Sequence, residues 1–466
     1  MSLLAAVAGV ERSFDEGRFF ADLARRVAYK TESPKPERRA ELERYLREEL
    51  GPSFERLGFT WQIHDNPDPA GGPLLVARRD EGPEGPRLLT YGHGDVVPGQ
   101  EARWTKGEGP WRLSADGDRW YGRGAADNKG QHSIVLAALE AVLKTRGSLG
   151  FNATALIETG EECGSPGLRA FCAANKDLLA ADLFIASDGP RLTAEQPTLF
   201  LGARGCFEFE LSVDLREGAH HSGNWGGLLA NPAVLLSHAR ASLTDARGRI
   251  LVEDWRPPPI PASVRRALEG LTPGGGPGAP AIDSDWGEPG LTAAEQVYGW
   301  NSFEILALEA GDPAQPVGAV LPRARAVCQL RYVVPCDPAA FLPALRRHLD
   351  KRGLTMVDVS ARPGTMAATR LDPDNPWVRW AVEIMESVCA KKVALLPNLG
   401  GSLPNDAFAE VLNLPTLWVP HSYAGCQQHG ADEHLLASVA REGLAIMTAL
   451  FWQLGVRAQA GAGSQA

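Results

Sequence analysis

The sequence lacks several features that would mark a membrane, secreted or disulfide-stabilised protein. Its 466 residues contain no continuous apolar run long enough to span a bilayer. The seven cysteines are an odd number, are widely scattered and include no Cys-x-x-Cys pair, which argues against a disulfide framework. The apolar start is short and has no basic residue before it, which argues against a signal peptide. We therefore expect a cytoplasmic protein.

The sequence also has fewer basic than acidic residues. The chain has 47 Lys and Arg against 57 Asp and Glu, a formal net charge of -10. Such a balance provides no general basic surface for nucleic acid or anionic lipid, so we expect neither nucleic acid nor a membrane as a partner. With 44% hydrophobic and 22% charged residues, the composition is that of an ordinary globular protein, and the length allows two domains.

Short apolar runs indicate the strands of an α/β sheet. They cover residues 73–77, 87–91, 153–157, 182–186 and 415–419. Helical patterns separate several of these runs, as expected of alternating strands and helices. Two further helices are predicted near the start, over residues 14–29 and 36–50, the second opened by Pro36 and closed by Gly51. In α/β sheets ligands bind beyond the carboxyl ends of the strands, so the residues after each run are candidate functional residues.

Residues that can bind metal follow four of these runs. They are His93 and Asp95, the pair Glu161 and Glu162, Asp188, and a loop that carries His421, Cys426, His429, Asp432, Glu433 and His434. A fifth contributor is Asp127, which lies in a glycine-flanked segment before a helix.

Glu161 and Glu162 stand together just after the end of a predicted buried strand. Two neighbouring carboxylates in such a place need a partner, and a divalent metal is the commonest one. For an isolated pair the simpler interpretation is an acidic turn on the surface. Likewise, Asp127 alone could be a helix cap and Asp188 alone a turn residue. Because residues that can bind metal follow several of the predicted strands, the sequence favours a metal centre over these separate interpretations.

The middle of the chain has a different pattern. Apolar and polar residues alternate strictly over residues 206–216, which predicts a half-exposed antiparallel strand. A helix from Asn231, strands at 302–308, 324–334 and 355–360, and a helix at 339–351 follow, around an irregular Pro/Gly-rich segment at 257–290. We predict an α+β domain at residues 207–362, inserted between two parts of a catalytic domain at residues 1–206 and 363–466.

Several motifs together resemble a known family, the co-catalytic dizinc exopeptidases. This family includes carnosinase-type dipeptidases, carboxypeptidase G, aminoacylase and succinyl-diaminopimelate desuccinylase, and the resemblance is closest to the carnosinase-type branch. The motifs are Gly92-His93-Gly94-Asp95-Val96, the segment 121–130 around Asp127, Glu161-Glu162, Ser187-Asp188, His221-Ser222-Gly223, Gly400-Gly401-Ser402-Leu403-Pro404 and His429. The resemblance implies a mixed, largely parallel sheet with helices on both faces and a ferredoxin-like inserted domain.

The resemblance also implies a ligand set for two zinc ions, with manganese or cobalt as alternatives. Asp127 would bridge the ions, His93 and Asp188 would complete one site, and Glu162 and His429 would complete the other. Glu161 would remain unligated and act as the general base toward a bridging water or hydroxide, then as the acid toward the leaving amine. Asp95 would orient the ring of His93.

The inserted domain would act as a lid and, by the same resemblance, as a homodimerisation surface. His221 matches the family's lid histidine, which stabilises the oxyanion and often acts across the dimer. Arg331 stands where the family keeps an arginine for the carboxylate of the substrate, and Gly401 and Ser402 would line the same end of the pocket.

These implications lead to an expected function and two alternatives. We expect a metal-dependent hydrolase that cleaves the peptide bond of a small carboxylate-bearing substrate, most naturally a dipeptide. An amidohydrolase for N-acyl amino acids or other small amides would share every metal ligand. A catalytically silent metal-binding scaffold is the alternative from outside the enzymes, although such a protein would not need Glu161 beside its ligands.

Overall fold

A computed structural model describes residues 2–82, 85–274, 280–364 and 366–462, with side chains up to residue 457. The α-helices are α1 Leu3–Asp15, α2 Arg18–Val27, α3 Arg39–Arg44, α4 Gly51–Glu55, α5 Lys129–Arg146, α6 Leu168–Ala174, α7 Ser222–Trp225, α8 Pro232–Ala241, α9 Ala262–Leu268, α10 Ala293–Tyr298, α11 Phe341–Asp350, α12 Pro376–Cys389 and α13 Ala437–Ala462.

Two sheets contain most of the strands. In chain order these strands are β1 Thr60–His64, β2 Leu74–Arg79, β3 Arg87–His93, β4 Asn152–Glu158, β5 Leu183–Ala186, β6 Thr198–Phe200, β7 Gly205–Asp214, β8 Ser302–Glu309, β9 Arg323–Tyr332, β10 Asp358–Ala361, β11 Ala394–Leu396 and β12 Thr416–Trp418. The larger sheet has the order β1-β2-β4-β3-β5-β12-β6-β11, and the smaller one has the order β8-β9-β7-β10.

The larger sheet is mixed, with a parallel centre. Strands β4, β3, β5 and β12 run parallel to one another, whereas β1 and β2 pair antiparallel at one side. Successive side chains of a strand point to opposite faces, so Leu88 enters one core and Leu89 enters another. Helices α1, α5 and α13 cover the first face, and α6, α9 and α10 cover the second. The predicted α/β architecture is confirmed.

The smaller sheet belongs to a second unit that follows the order β-α-β-β-α-β. Its neighbouring strands are all antiparallel, and α8 and α11 pack on one face against buried side chains of β7 such as Phe209 and Leu211. The opposite face of β7 carries the partly exposed Glu208 and Glu210. This is the ferredoxin-like arrangement that was predicted. The domain boundaries at residues 207 and 362 stay predictions.

Two predicted helix limits are wrong, and glycine explains both. The helix predicted over residues 14–29 is divided, because Gly17 adopts a left-handed φ of 80° between α1 and α2. The helix predicted to end at Gly51 continues through it to Glu55. A side chain at Gly51 would overlap the ring of Trp61, with its Cβ only 2.6 Å from a ring atom. That glycine therefore permits close helix–strand packing and does not end the helix.

Two helices that the sequence did not indicate lie in this region, α9 within the Pro/Gly-rich segment and α10 just after it. Val264 and Leu268 of α9 and Ala294 and Tyr298 of α10 join the core on the second face of the larger sheet. Residues 275–279 of this segment lie outside the described residues. The segment therefore packs against the larger sheet, although it lies within the span predicted for the inserted domain.

Across the described parts of the chain, no helix is both long enough and apolar enough to cross a membrane.

Candidate metal centre

The predicted ligands meet at the carboxyl ends of the four central parallel strands. His93 is the last residue of β3, and Asp188 follows β5 by two residues. Glu161 and Glu162 lie in a single 3-10 turn shortly after β4. His429 lies in the loop after β12, and Asp127 precedes the first turn of α5. Since parallel neighbours end at one edge of the sheet, side chains that are far apart in sequence come together there.

These side chains form two groups that share Asp127. In the first, His93 Nε2 lies 3.0 Å from Asp127 Oδ1 and 3.7 Å from Asp188 Oδ2. In the second, His429 Nε2 lies 3.3 Å from Asp127 Oδ2 and 3.1 Å from Glu162 Oε2. Within each group all ligand atoms lie within 4.8 Å of one another. Each oxygen of Asp127 therefore faces a different group, as a bridging ligand requires.

The charges of the cluster fit two divalent cations. Glu162 Oε1 and Asp188 Oδ2 are buried and have no hydrogen-bond partner among the described residues, although buried polar atoms are normally satisfied. Burial, together with the charge of Asp127, raises the pKa of Glu162 to about 7 and that of Asp188 to about 6. Imidazole and carboxylate donors suit zinc and similar ions. The donor set thus fits two divalent ions of the kind that the family resemblance implies.

The pKa values of the two histidines are both raised above that of free imidazole in this cluster. Hydrogen bonding to Asp127 and Glu162 raises the pKa of His429 to about 11. Burial opposes the charge on His93, but hydrogen bonds to Asp127 and Asp95 outweigh it and raise its pKa well above the usual value. Without cations, therefore, protons on the imidazoles and on the acids balance the charge of the cluster.

Glu161 lies beside the two groups but belongs to neither. No described residue hydrogen-bonds its carboxylate, and its charge interacts with those of His93, Asp188, Glu162 and Asp127. Burial is the main cause that raises its pKa well above that of an ordinary glutamate. A carboxylate that has a raised pKa and makes no hydrogen bond to a neighbour can take up and release a proton.

Asp95 connects the acidic turn to the first histidine. Its two carboxylate oxygens accept hydrogen bonds from the backbone N–H groups of Glu161, at 3.3 Å, and Glu162, at 3.2 Å. The Oδ1 atom also lies 3.4 Å from His93 Nδ1, which contacts the backbone oxygen of Asp95 at 3.1 Å. One side chain therefore orients the ring of His93 and the backbone of both glutamates.

Comparison with known proteins agrees with this arrangement. A family profile described as "Peptidase family M20/M25/M40" matches residues 89–453. The chain belongs to this family. It is 28% identical to the Cysteinylglycine-S-conjugate dipeptidase of Corynebacterium striatum over 402 residues, which are 83% of this chain and 84% of that protein.

Two further relatives give the same picture of the family. Over 186 residues, 39% of this chain and 37% of the relative, the sequence is 36% identical to the Beta-Ala-His dipeptidase of Rattus norvegicus. The solved structure of the dipeptidase Dug1p from Saccharomyces cerevisiae has a TM-score of 0.77 at 21% identity and covers 98% of this chain and 99% of that chain. The predicted resemblance to carnosinase-type dipeptidases is confirmed, and so is the fold.

The residues predicted for substrate binding in this M20/M25/M40 member meet at the junction of the two sheets. Arg331 on β9 donates from Nη1 to Ser402 Oγ at 2.8 Å, and Ser402 Oγ donates to the backbone oxygen of Arg204 at 2.8 Å. Arg204 in turn donates from Nε to the backbone oxygen of Gly400. Gly401 is exposed between these contacts. The sequence analysis had not singled out Arg204, because no chemical motif surrounds it.

His221 is not joined to the metal ligands within the described chain. It is exposed in a short ribbon that pairs with Ala319, and its Nδ1 accepts a hydrogen bond from the backbone of Gly223 at 3.1 Å. Within the parts of the chain described here, no hydrogen bond or ion pair links its ring to the five ligands. Its Nε2 is therefore left for contacts outside its own loop.

Proposed function

We propose that this M20/M25/M40 family member is a metal-dependent dipeptidase that cleaves the peptide bond of small substrates with a free carboxylate. The observation that carries the proposal is the pair of ligand groups that share Asp127, with the free carboxylate of Glu161 beside them. The names of the relatives support the substrate class, because both sequence relatives described above are dipeptidases.

Two divalent ions, which we propose to be zinc, would be held by the predicted ligands. His93 and Asp188 serve one ion, Glu162 and His429 the other, and Asp127 both. Bound there, the ions would polarise the scissile carbonyl and acidify a water molecule. Manganese and cobalt prefer similar donors, so they are the alternatives to test.

Side chains of the protein would transfer the proton of the attacking water and hold the catalytic groups in position. Glu161 accepts a proton from the attacking water at its carboxylate and passes it to the departing amine, which is general base and then general acid catalysis. Asp95 keeps Glu161 within reach because it binds the backbone of the acidic turn, and it orients His93 through the ring nitrogen that faces away from the ligand group.

The lid would supply recognition of the substrate. Arg331 presents a planar guanidinium beside Ser402 and Gly401, which suits the carboxylate of a dipeptide. His221, exposed on the lid, would stabilise the oxyanion of a partner subunit in a homodimer.

The edge strand of the lid supports dimerisation. Ile305, Leu306 and Leu308 on β8 are 42%, 50% and 52% exposed, and an apolar edge strand of this kind favours pairing with a second copy. For the compartment we propose the cytoplasm, which is supported by the seven free cysteines.

The test is a hydrolysis screen of the protein before and after metal removal. The protein is dialysed against chelator, reloaded with zinc, manganese or cobalt, and assayed with dipeptides and with N-acetyl amino acids that share their carboxyl-terminal residues. We expect metal-restored cleavage of dipeptides. Faster cleavage of the N-acetyl amino acids would assign the amidohydrolase activity, and binding of fewer than two ions with no cleavage of either set would favour the silent scaffold.

A further inference from the structure

Glu433 lies in the His429 loop but does not face the ligand groups. Its side chain is 1% exposed, and its carboxylate accepts four hydrogen bonds from the segment around Asp127. Oε2 accepts from Arg123 Nη1 at 2.8 Å and from the N–H of Gly124 at 2.9 Å. Oε1 accepts from the N–H groups of Ala126 and Asp127, both at 3.0 Å. Both oxygens are occupied, so this glutamate holds backbone and does not bind an ion.

Arg123 extends the same contact to the peptide beside His429. The arginine is fully buried, and its Nη2 donates to the backbone oxygen of Gly430 at 2.7 Å and to that of Pro98 at 3.0 Å. Gly430 follows His429 directly in the chain. The buried pair of Glu433 and Arg123 therefore hydrogen-bonds to the backbone of Asp127 and to the backbone of Gly430, next to His429. Asp127 and His429 are about 300 positions apart in the sequence.

The two ligand groups differ in how much they need such support. His93 is held by its pairing with Glu158 in the sheet, and Asp188 lies two residues beyond β5; both side chains are buried. His429 lies in a loop, its side chain is 60% exposed, and its φ of 61° is in the left-handed region. A non-glycine residue keeps such a backbone conformation only when its surroundings hold it there.

We propose that Glu433 and Arg123 are a positioning pair that sets the separation of His429 from Asp127. The ion held by Asp127, Glu162 and His429 depends on this pair more than the ion held by His93, Asp127 and Asp188 does. The proposal rests on the two-ion centre described under the proposed function. Breaking the pair would leave an uncompensated buried charge and loosen the His429 loop, while the strand-borne ligands stay in place.

The test measures zinc affinity and does not depend on turnover. Metal-free protein is titrated with zinc in competition with a chromophoric chelator, which gives a dissociation constant for each ion. The His93→Ala and His429→Ala variants assign the two constants to the two groups. In Glu433→Gln, which keeps the side-chain shape, we expect the constant of the His429 group to rise about 10- to 100-fold. The constant of the other group should change less than about threefold, because Asp127 is the only one of its three ligands that Glu433 contacts, whereas the His429 group depends on the pair both at Asp127 and at the peptide beside His429.

A matched control separates positioning from the general loss of a buried ion pair. Glu49→Gln removes the carboxylate that lies 3.3 Å from Arg26 in a second buried ion pair, with side chains 9% and 4% exposed, neither of which is a ligand. This variant should lower thermal stability and leave both constants unchanged. Arg123→Lys keeps the positive charge opposite Glu433 but loses the second guanidinium nitrogen, which donates to the backbone oxygen of Gly430. It should therefore raise the dissociation constant of the ion in the His429 group, and it provides a second variant if Glu433→Gln does not fold.

Equal weakening of both ions, or unchanged constants in a folded Glu433→Gln or Arg123→Lys protein, would overturn the proposal. Binding of fewer than two ions by the unaltered protein would instead contradict the two-ion centre itself.

Discussion

Glu161 and Glu162 are adjacent and chemically identical, yet the structure predicts opposite consequences when each is changed to glutamine. Glu162 Oε2 lies 3.1 Å from His429 Nε2, and its Oε1 is buried without a hydrogen-bond partner among the described residues. The carboxylate of Glu161 has no hydrogen bond from any described residue and lies outside both ligand groups. Each glutamine variant has the same shape as the original side chain, so the comparison isolates the role of the charge.

The expected size of the Glu161→Gln effect follows from general base catalysis. Such a group contributes about 10² to 10⁴ in rate. At about 1.36 kcal/mol per tenfold change, this loss corresponds to about 2.7 to 5.4 kcal/mol of transition-state stabilisation. The effect should appear in kcat, whereas the metal content should stay at two ions because no ligand is removed. Glu162→Gln should lose the ion of the His429 group, because an amide is a weaker ligand than a carboxylate.

The assay combines metal analysis after exhaustive dialysis with initial rates on one dipeptide, before and after zinc is added back. Excess zinc should restore part of the activity of Glu162→Gln and none of that of Glu161→Gln. If Glu161→Gln loses an ion, or if Glu162→Gln keeps both ions and loses only turnover, the two roles are assigned the wrong way round.

Three further predictions concern the lid and the titration of the cluster. His221→Ala should depress kcat with little change in metal content, and mixing it with inactive Glu161→Gln subunits should restore some activity if the histidine acts across a dimer; no restoration would place its action within one subunit. Arg331→Gln should raise KM for free dipeptides far more than for dipeptide amides, and a uniform effect would remove Arg331 from the carboxylate site. In the metal-free protein the pKa values of Asp188 and Glu162 are raised to about 6 and about 7, so the folded state binds protons more tightly than the unfolded chain. The contribution of these two carboxyls to the stability of the metal-free protein should therefore fall as the pH rises from about 5 to about 8, so the gain in melting temperature on adding zinc should grow over this range; a gain that does not change with pH would contradict the raised values.

Much of the large sheet could be predicted because each of its central strands is indicated by a pattern of neighbouring residues. A parallel strand covered on both faces needs a short, continuous apolar run, and residues 87–91, 153–157 and 182–186 show it directly. The ends of those runs then led to His93, Glu161, Glu162 and Asp188. The second domain was equally visible, because β7 alternates between core and surface.

Other features could not be predicted because they depend on close contacts between distant segments. Nothing near Gly51 in sequence indicates that Trp61 packs against it, so its usual role as a helix terminator was assumed. The helices α9 and α10 are short and lie within or just after the Pro/Gly-rich segment, and they are stabilised by the core beneath them more than by their own sequence. Glu433 was included with the possible ligands of its loop, and only its four contacts show that it faces the backbone around Asp127.

By itself, the sequence determined which residues could bind metal and on which strand ends they would stand, because hydrophobic periodicity and ligand type are properties of neighbouring residues. The family resemblance implied a bridging Asp127 and an unligated Glu161, but only the tertiary structure shows the distances behind them: each oxygen of Asp127 faces a different group, Glu161 lies outside both groups, and Arg123 and Glu433 join two loops about 300 positions apart. Those relations are distances between side chains that meet only when the sheet, its helices and its loops have packed, and no local pattern specifies them.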